Sequence, residues 1–349
     1  MRLASTSHDM AVDLGTANTI VYACDSGVLR SEPSIVAVDR RTGELQAVGN
    51  DAWQILGHKE ICAVRPVQGG VIADLDVTEQ MLSYLLDRMQ GRRRGHPRVV
   101  ASVPSGVSGV EKRAVAEVCL AAGARETYLI DRPIAVAIGA GLPVAQPTGS
   151  MVVDIGAAST EVAVVAMGGI VVSRSLRVGG QQLDDAIAGH LKREHKVLIG
   201  QQTAEQIKVQ IGSASCAAQP AAQIEVRGRE IGSQALKAVA LTADEIRWVL
   251  AKPLTRTIDA VLETLDCTPP ELGSDILDRG ITLAGGGALL HGLAQRLSHE
   301  TGMPAWVAVS PRTCVAVGAA AALERLTHIP RSRATARGEL ALGSTAVLN

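Results

Sequence analysis

Short apolar runs alternate along this chain with amphipathic stretches, and the order in which they come repeats once. Met10 to Val12 leads into the turn Asp13-Leu14-Gly15-Thr16-Ala17-Asn18 and a second β-rich run, and Met151 to Val153 leads into Asp154-Ile155-Gly156-Ala157-Ala158-Ser159 and another. Each copy describes a strand, a tight turn and a returning strand. Downstream, the first half predicts a strand at 98–103, a turn at 104–109, a helix over 110–122, a strand at 127–130 and an Ala-rich helix from Pro133 to about Gly139. The second half offers matching pieces in matching order: a strand at 281–283, a turn at Gly285-Gly286-Gly287, a helix over 288–297, a strand at 305–309 and a last Ala-rich helix over 311–326. The pattern predicts two β-β-β-α-β-α-β-α lobes related by a pseudo-two-fold, with the repeated turns facing each other across a cleft.

The parts that do not repeat read as insertions and tails. A first lobe over 11–141 carries an insertion at about 31–70, rich in turn signals such as Arg41-Thr42-Gly43 and Gly69-Gly70. A second lobe over 142–328 carries one at about 183–250, with helical patterns at 184–196, 203–211 and 243–252. Residues 1–10 read as an N-terminal tail, and residues 329–349, which mix Arg, Ala, Gly and Ser without periodicity, as a mobile C-terminal one.

Composition narrows the function classes. A chain of 349 residues with 47% hydrophobic and 20% charged residues can bury the cores of two lobes. With three Trp, three Tyr and no Phe it lacks the aromatic platforms of base-stacking modules, and its net charge of -1 gives no field that gathers polyanions, so nucleic acid is not an expected partner. The six cysteines show no C-x-x-C pair, which suits a reducing cytoplasm. The longest apolar stretch, Val162 to Val172, is too short to span a bilayer, and the N-terminus has no apolar signal region.

The chemistry gathers at the turns. In a D-x-G turn between strands the glycine lets backbone approach a phosphate, the neighbouring N–H groups line the anion, and the Asp can order a magnesium ion through its waters. One such tripeptide is an ordinary turn; two, each at the start of a repeated lobe, point to Asp13 and Asp154 as a shared magnesium and triphosphate site. Gly285, Gly286 and Gly287, between a strand and a helix, offer bare backbone against which an adenosine can lie, or else form a flexible turn. Glu205 and Lys208, three apart on a helical pattern, share one face, as a ligand contact or as an exposed ion pair.

These residues carry a resemblance. The stretches VDLGTANTIVY, RPVQGGVIADLDVTEQML, IAVAIGAGLPV, GGIVVSRSLRVGG, LIGQQTAEQIKVQIGSA and LAGGGALLHGL, spread from Val12 to about Leu326, resemble the bacterial actin family of MreB and Mbl. The resemblance implies an α/β actin-like ATPase fold of two duplicated ribonuclease-H-like lobes with small inserted subdomains. It also implies ATP and Mg2+ in the cleft, and self-association into protofilaments that work with the cell-wall elongation or sporulation machinery under the membrane. It assigns Asp13, Gly15, Thr16, Ala17 and Asn18 to a first phosphate loop, and Asp154 and Gly156, with Ala157, Ala158 and Ser159, to a second. Glu205 and Lys208 would then contact ribose and adenine, and Gly285 to Gly287 the adenosine.

Three departures from that family bear on activity. Ala157, Ala158 and Ser159 stand where the family usually has two glycines and a Thr, and a Cβ at a position needing positive φ would cost about 1 kcal/mol. Asp131-Arg132-Pro133 stands where the family resembles Glu-Glu-Pro, with the Glu next to Pro orienting the attacking water. A guanidinium has no acceptor for that task, although Arg132 can pair with a γ-phosphate or with Asp154. Asp131 is one residue out of register for a substitute, so slow hydrolysis is expected. In place of an apolar membrane tip the chain has Arg92, Arg93 and Arg94, a solvated loop or a contact for anionic lipid. The competing functions are a non-polymerising, nucleotide-binding paralogue, a sugar-kinase-like phosphotransferase and a chaperone-type ATPase. The second lacks a clear catalytic carboxylate and the third lacks room for a peptide-binding domain.

Overall fold

The period-two alternation of the strands decides which side chains meet. The structure, a computed structural model, describes residues 9–56, 58–91, 95–215, 223–233 and 235–326. In the first half, β1 (Met10–Leu14), β2 (Asn18–Ala23) and β3 (Leu29–Pro33) form an antiparallel meander. After α1 (Leu75–Gln90) come β4 (Arg98–Val103), α2 (Gly109–Ala121), β5 (Glu126–Asp131) and α3 (Arg132–Gly139). The sheet order is β5-β4-β1-β2-β3, with β4 parallel to both β1 and β5.

The second half repeats this plan. The meander is β6 (Ser150–Ile155), β7 (Thr160–Ala166) and β8 (Gly169–Leu176), followed by α4 (Gly180–His190) and α5 (Gln201–Ile211). A hairpin of β9 (Gln223–Glu230) and β10 (Leu236–Thr242) leads to α6 (Ala243–Asp266) and α7 (Pro270–Arg279). Last come β11 (Ile281–Ala284), α8 (Leu293–Thr301), β12 (Ala305–Val307) and α9 (Cys314–Leu326), and the sheet order β12-β11-β6-β7-β8 matches the first strand for strand.

Each sheet has an outer and an inner face. Met10, Val12 and Leu14 of β1 join the core under α1 and α2, while Met151, Val153 and Ile155 of β6 join the one under α4 to α8. The residues between them, Ala11 and Val152, with Val100, Ala163, Val165 and Ala284, face a third core built on α3 and α9 between the two sheets. At this core the backbones of α3 and α9 come close. A Cβ added to Gly318 would lie 1.8 Å from the Ala135 carbonyl oxygen, and one on Gly139 would lie 2.0 Å from that of Cys314. Glycine at the crossing is what lets the two helices approach.

Several elements differ from the sequence pattern. Met10, expected in a tail, is wholly buried in β1, and Asp9 before it pairs with Arg98. The helix predicted over 288–297 is split: a short 3-10 turn, Gly286–Leu289, ends before Gly292, whose φ of 73° breaks the run, and α8 starts at Leu293. The helix predicted to end at 252 passes through Pro253 to Asp266. The proline forgoes one hydrogen bond, but Leu250, Leu254, Ile258 and Val261 are buried and hold the helix against the core. The first insertion contains a small sheet of Leu45–Val48, Val36–Asp39 and Ile61–Val64 with the helix Asn50–Ile55. Arg92 to Arg94 and the segment 329–349 lie outside the described residues.

Candidate functional site

Because Asp13 follows Ala11 by two residues on β1, and Asp154 follows Val152 by two on β6, both carboxylates fall on inner faces, at the strand ends where the cores stop. Two more polar groups obey the same rule. Glu161 lies opposite Asp154 across the β6–β7 pair and shares its face with Ala163, and Ser102 lies opposite Asp13 across β1–β4 and shares its face with Val100. The two turns are closed alike: Gly15 N donates to the Asn18 carbonyl at 3.1 Å and Gly156 N to the Ser159 carbonyl at 2.8 Å. The repeat seen in the sequence is thus a repeat of hydrogen bonds.

Arg132, the first residue of α3, reaches into the gap between the turns. Its Nη2 lies 3.0 Å from Asp13 Oδ1, its Nε 4.0 Å from Asp154 Oδ2 and its Nη1 3.8 Å from Glu161 Oε1, so each nitrogen faces a different carboxylate. The guanidinium is buried, and burial works against its charge, but Asp13, Glu161 and Asp154 outweigh that and hold its proton more tightly than usual. Burial pushes Asp154 up to about 7, opposed by Arg132 and assisted by Glu161 and Asp13. Burial also raises Glu161, against Arg132 and against the Ser105 N–H and Oγ, which donate to its Oε2 at 2.9 and 3.1 Å. Ser102 Oγ donates to Asp13 Oδ1 at 2.7 Å. Among the described residues Arg132 Nε and Glu161 Oε1 are buried with no hydrogen-bond partner, so the cluster does not satisfy all of its own polar atoms.

This geometry bears on the expected magnesium. A hydrated ion between Asp13 and Asp154 and the guanidinium cannot share one gap, so with Arg132 in this place the carboxylate pair does not fit magnesium. Asp131 turns away, its carboxylate 3.3 Å from Lys112 Nζ, and does not join the three carboxylates.

The remaining expected residues surround this centre unequally. Thr16 Oγ1 accepts from Gly70 N at 3.0 Å, which fixes the tip of the hairpin Val67–Ile72 beside the first turn. A Cβ on Gly70 would lie 3.6 Å from Ser159 Oγ, so that tip also reaches the second turn. Ala157, Ala158 and Ser159 do not have positive φ, since the only such non-glycine residues described are Met167 and Lys196; the strain expected of these substitutions is absent. Gly180 N and Gln181 N, at the start of α4, donate to the Gly156 and Ala157 carbonyls at 3.0 and 2.7 Å and brace the second turn from behind.

The glycines after β11 are packed on the same turn. A Cβ on Gly285 would lie 2.3 Å from the Ile155 carbonyl oxygen and one on Gly287 2.3 Å from Ile155 Cγ2, while Gly286 faces open space. Lys208 does not pair with Glu205, which is exposed. Its Nζ lies 2.8 Å from Asp184 Oδ1 and 3.2 Å from the Gly180 carbonyl, at the floor of the second turn. Burial pushes Asp184 up to about 6, against the pull of Lys208. Glu161, Ser102, Ser105 and Asp184 were not singled out from the sequence. The signal for Glu161 was present, as the one charged residue in the strand Thr160–Ala166.

Comparison with known proteins agrees with this architecture. The sequence model of the family described as MreB/Mbl protein matches residues 7–331. The cell shape-determining protein MreB of Escherichia coli (strain K12) is 47% identical over 328 residues, covering 92% of this chain and 94% of that protein. The cell shape-determining protein Mbl of Bacillus subtilis (strain 168) is 38% identical over 330 residues, covering 94% and 99%. Among solved structures, MreB5 of Spiroplasma citri bound to ADP superposes with a TM-score of 0.87 at 34% identity, covering 92% of this chain and 97% of that one. The same protein bound to AMPPNP gives the same TM-score. A MamK double helical filament, at 20% identity and a TM-score of 0.77, shares the fold.

Proposed function

The chain belongs to the MreB/Mbl family of actin-like cytoskeletal proteins, and from that membership and the cleft geometry we propose that it binds ATP between its lobes, assembles into filaments and hydrolyses the nucleotide slowly. The observation that carries the reading is the convergence of two alike-closed D-x-G turns on one buried cation, Arg132, whose Nε, like Glu161 Oε1 beside it, is buried without a hydrogen-bond partner. Phosphate oxygens satisfy such a guanidinium well. Residues 13 and 15–18 then line one side of the phosphates and residues 154 and 156–159 the other, with Gly285 to Gly287 under the adenosine and Glu205 and Lys208 beside the ribose and base. Slow turnover follows because the position next to Pro133 carries a cation that cannot accept a proton from water.

The relatives are named for cell shape, and in this reading the filaments of this chain would serve the cell-wall elongation or sporulation machinery in the cytoplasm. No described helix is long and apolar enough to cross a membrane. Contact with anionic lipid through Arg92, Arg93 and Arg94 is part of the proposal, and flotation on anionic vesicles that disappears at high salt would support it.

Sedimentation and electron microscopy with ATP test the central reading. Filaments that depend on nucleotide support it, whereas tight nucleotide binding without any polymer favours a non-polymerising paralogue. Absence of nucleotide binding removes both.

A further inference from the structure

Away from the cleft, on the second lobe, three side chains aim their donor atoms at one point. His190 Nε2 lies 2.7 Å from Glu245 Oε1 and His195 Nε2 lies 2.6 Å from the same oxygen. All three donor atoms fall within 4.8 Å of one another, the only such group of three among the described residues. We propose that His190, His195 and Glu245 form a binding site for a divalent transition metal of the zinc kind, and that the ion clamps the end of α4 to the start of α6.

The backbone is shaped for this convergence. On a regular α-helix residues five apart point about 140° away from each other, so His190 and His195 would not share a face. Here α4 passes into a single π turn, Leu191–His195, whose wider winding brings the fifth residue back over the first. Lys196 then ends the turn at a φ of 58°, a left-handed conformation uncommon for a non-glycine residue, with its N–H donating to the Leu191 carbonyl. Such π turns recur at functional sites, and this one has no part in the nucleotide cleft.

Glu245 is equally constrained. It stands in the first turn of α6, where Thr242 Oγ1 accepts its backbone N–H at 3.2 Å, and its carboxylate extends across to the two imidazoles. The His195 carbonyl accepts from Lys237 Nζ at 3.1 Å, which steadies the π turn from the adjoining hairpin.

The donor set and exposure suit the ion. Two imidazole nitrogens and one carboxylate oxygen are ordinary zinc ligands, leaving a fourth position for water. His190 is buried, while the side chains of His195 and Glu245 are 27% and 25% exposed, so one side is open to solvent. Zinc holds such ligands at about 2.0–2.2 Å, which sets tetrahedral ligand atoms about 3.3–3.6 Å apart, so each Glu245–His separation need widen by under about 1 Å to admit it. Magnesium and calcium, which prefer oxygen ligands, suit the site poorly.

The test uses the full chain with any affinity tag removed, stripped with EDTA and dialysed, then titrated with Zn2+ by calorimetry and with Co2+ by visible absorption. Wild type should take up about one ion per chain, show the d–d bands of a low-coordinate nitrogen–oxygen cobalt site, and gain thermal stability with Zn2+. His195→Gln should weaken binding by at least about tenfold and abolish the metal-dependent rise in Tm. Glu245→Gln keeps a hydrogen-bond acceptor for both imidazoles and should stay folded without metal, yet lose the ion. No saturable uptake by wild type overturns the proposal in favour of a hydrogen-bonded triad. Uptake that survives both substitutions, or that shows thiolate bands, overturns it as well.

Discussion

Arg132 Nη2 sits 3.0 Å from Asp13 Oδ1, so a side chain from the start of α3 supplies the positive charge that the carboxylates of the two turns face. An isolated surface pair of this kind would be worth little, but here the guanidinium is buried among three carboxylates, and removal of one partner leaves charges that neither water nor protein compensates.

Arg132→Ala should therefore lower unfolding stability by about 3–5 kcal/mol at pH 8. The loss should shrink at pH 5, because the buried Asp154, raised to about 7, holds its proton there and ceases to repel its neighbours. Urea denaturation at the two pH values measures both, and an equal loss at each would contradict the ionic account.

Asp154 predicts a pH trend of its own. Its proton is held up to about 7 in the folded chain against an ordinary 3.8, so the folded state binds that proton more tightly and this group's contribution declines as pH rises from about 4 to about 7, then stays level. In Asp154→Asn the decline is absent. The stability of wild type relative to the variant should consequently fall across that window, as denaturant titrations at pH 4.5 and 8 would show.

Turnover should rise when the cation is replaced by a general base. Arg132→Glu is expected to release phosphate from ATP faster than wild type in magnesium buffer, while losing stability in EDTA, where a fourth carboxylate meets the other three. Wild-type phosphate release as fast as that of relatives would refute the assignment.

Magnesium removal distinguishes two arrangements of the cleft. Because the guanidinium fills the gap between Asp13 and Asp154, nucleotide affinity of wild type should fall by less than about tenfold on chelation, an energy of about 1.4 kcal/mol. Measured with a fluorescent ATP analogue, a fall of several hundredfold would mean that Arg132 gives way to the ion.

Gly318→Ala should cost at least about 1–3 kcal/mol, since the new methyl would meet the Ala135 carbonyl at 1.8 Å and the Gly139 nitrogen at 2.7 Å, both backbone atoms that cannot turn aside. Gly273→Ala in α7 meets nothing within 4 Å and is expected to be neutral or to add up to about 1 kcal/mol. Thermal melts of the two variants make the comparison.

Much of this was legible in the sequence because it rests on local signals. The duplicated turn announces both halves, and period-two alternation assigns Asp13 and Asp154 to matching faces. What the sequence hid was long-range. That Arg132 would meet three carboxylates depends on how α3 docks between two sheets, and no local pattern states it. The His190 and His195 pair was invisible for a different reason: five-residue spacing on an α-helix predicts divergence, and only a π turn reverses it. Lys208 looked like a partner for Glu205 by helical spacing, but burial of Asp184 offered it a better one.

The glycine contact between α3 and α9 constrains how the molecule can respond to a nucleotide. Where main chain rests on main chain there are no side chains to turn aside, so pressing the helices closer is resisted from the first fraction of an ångström. Rotation about that line remains the low-cost motion. Arg132 lies on the same helix only three residues before Ala135, near that line, and a swing about it grows in proportion to radius towards the outer rims of the two sheets.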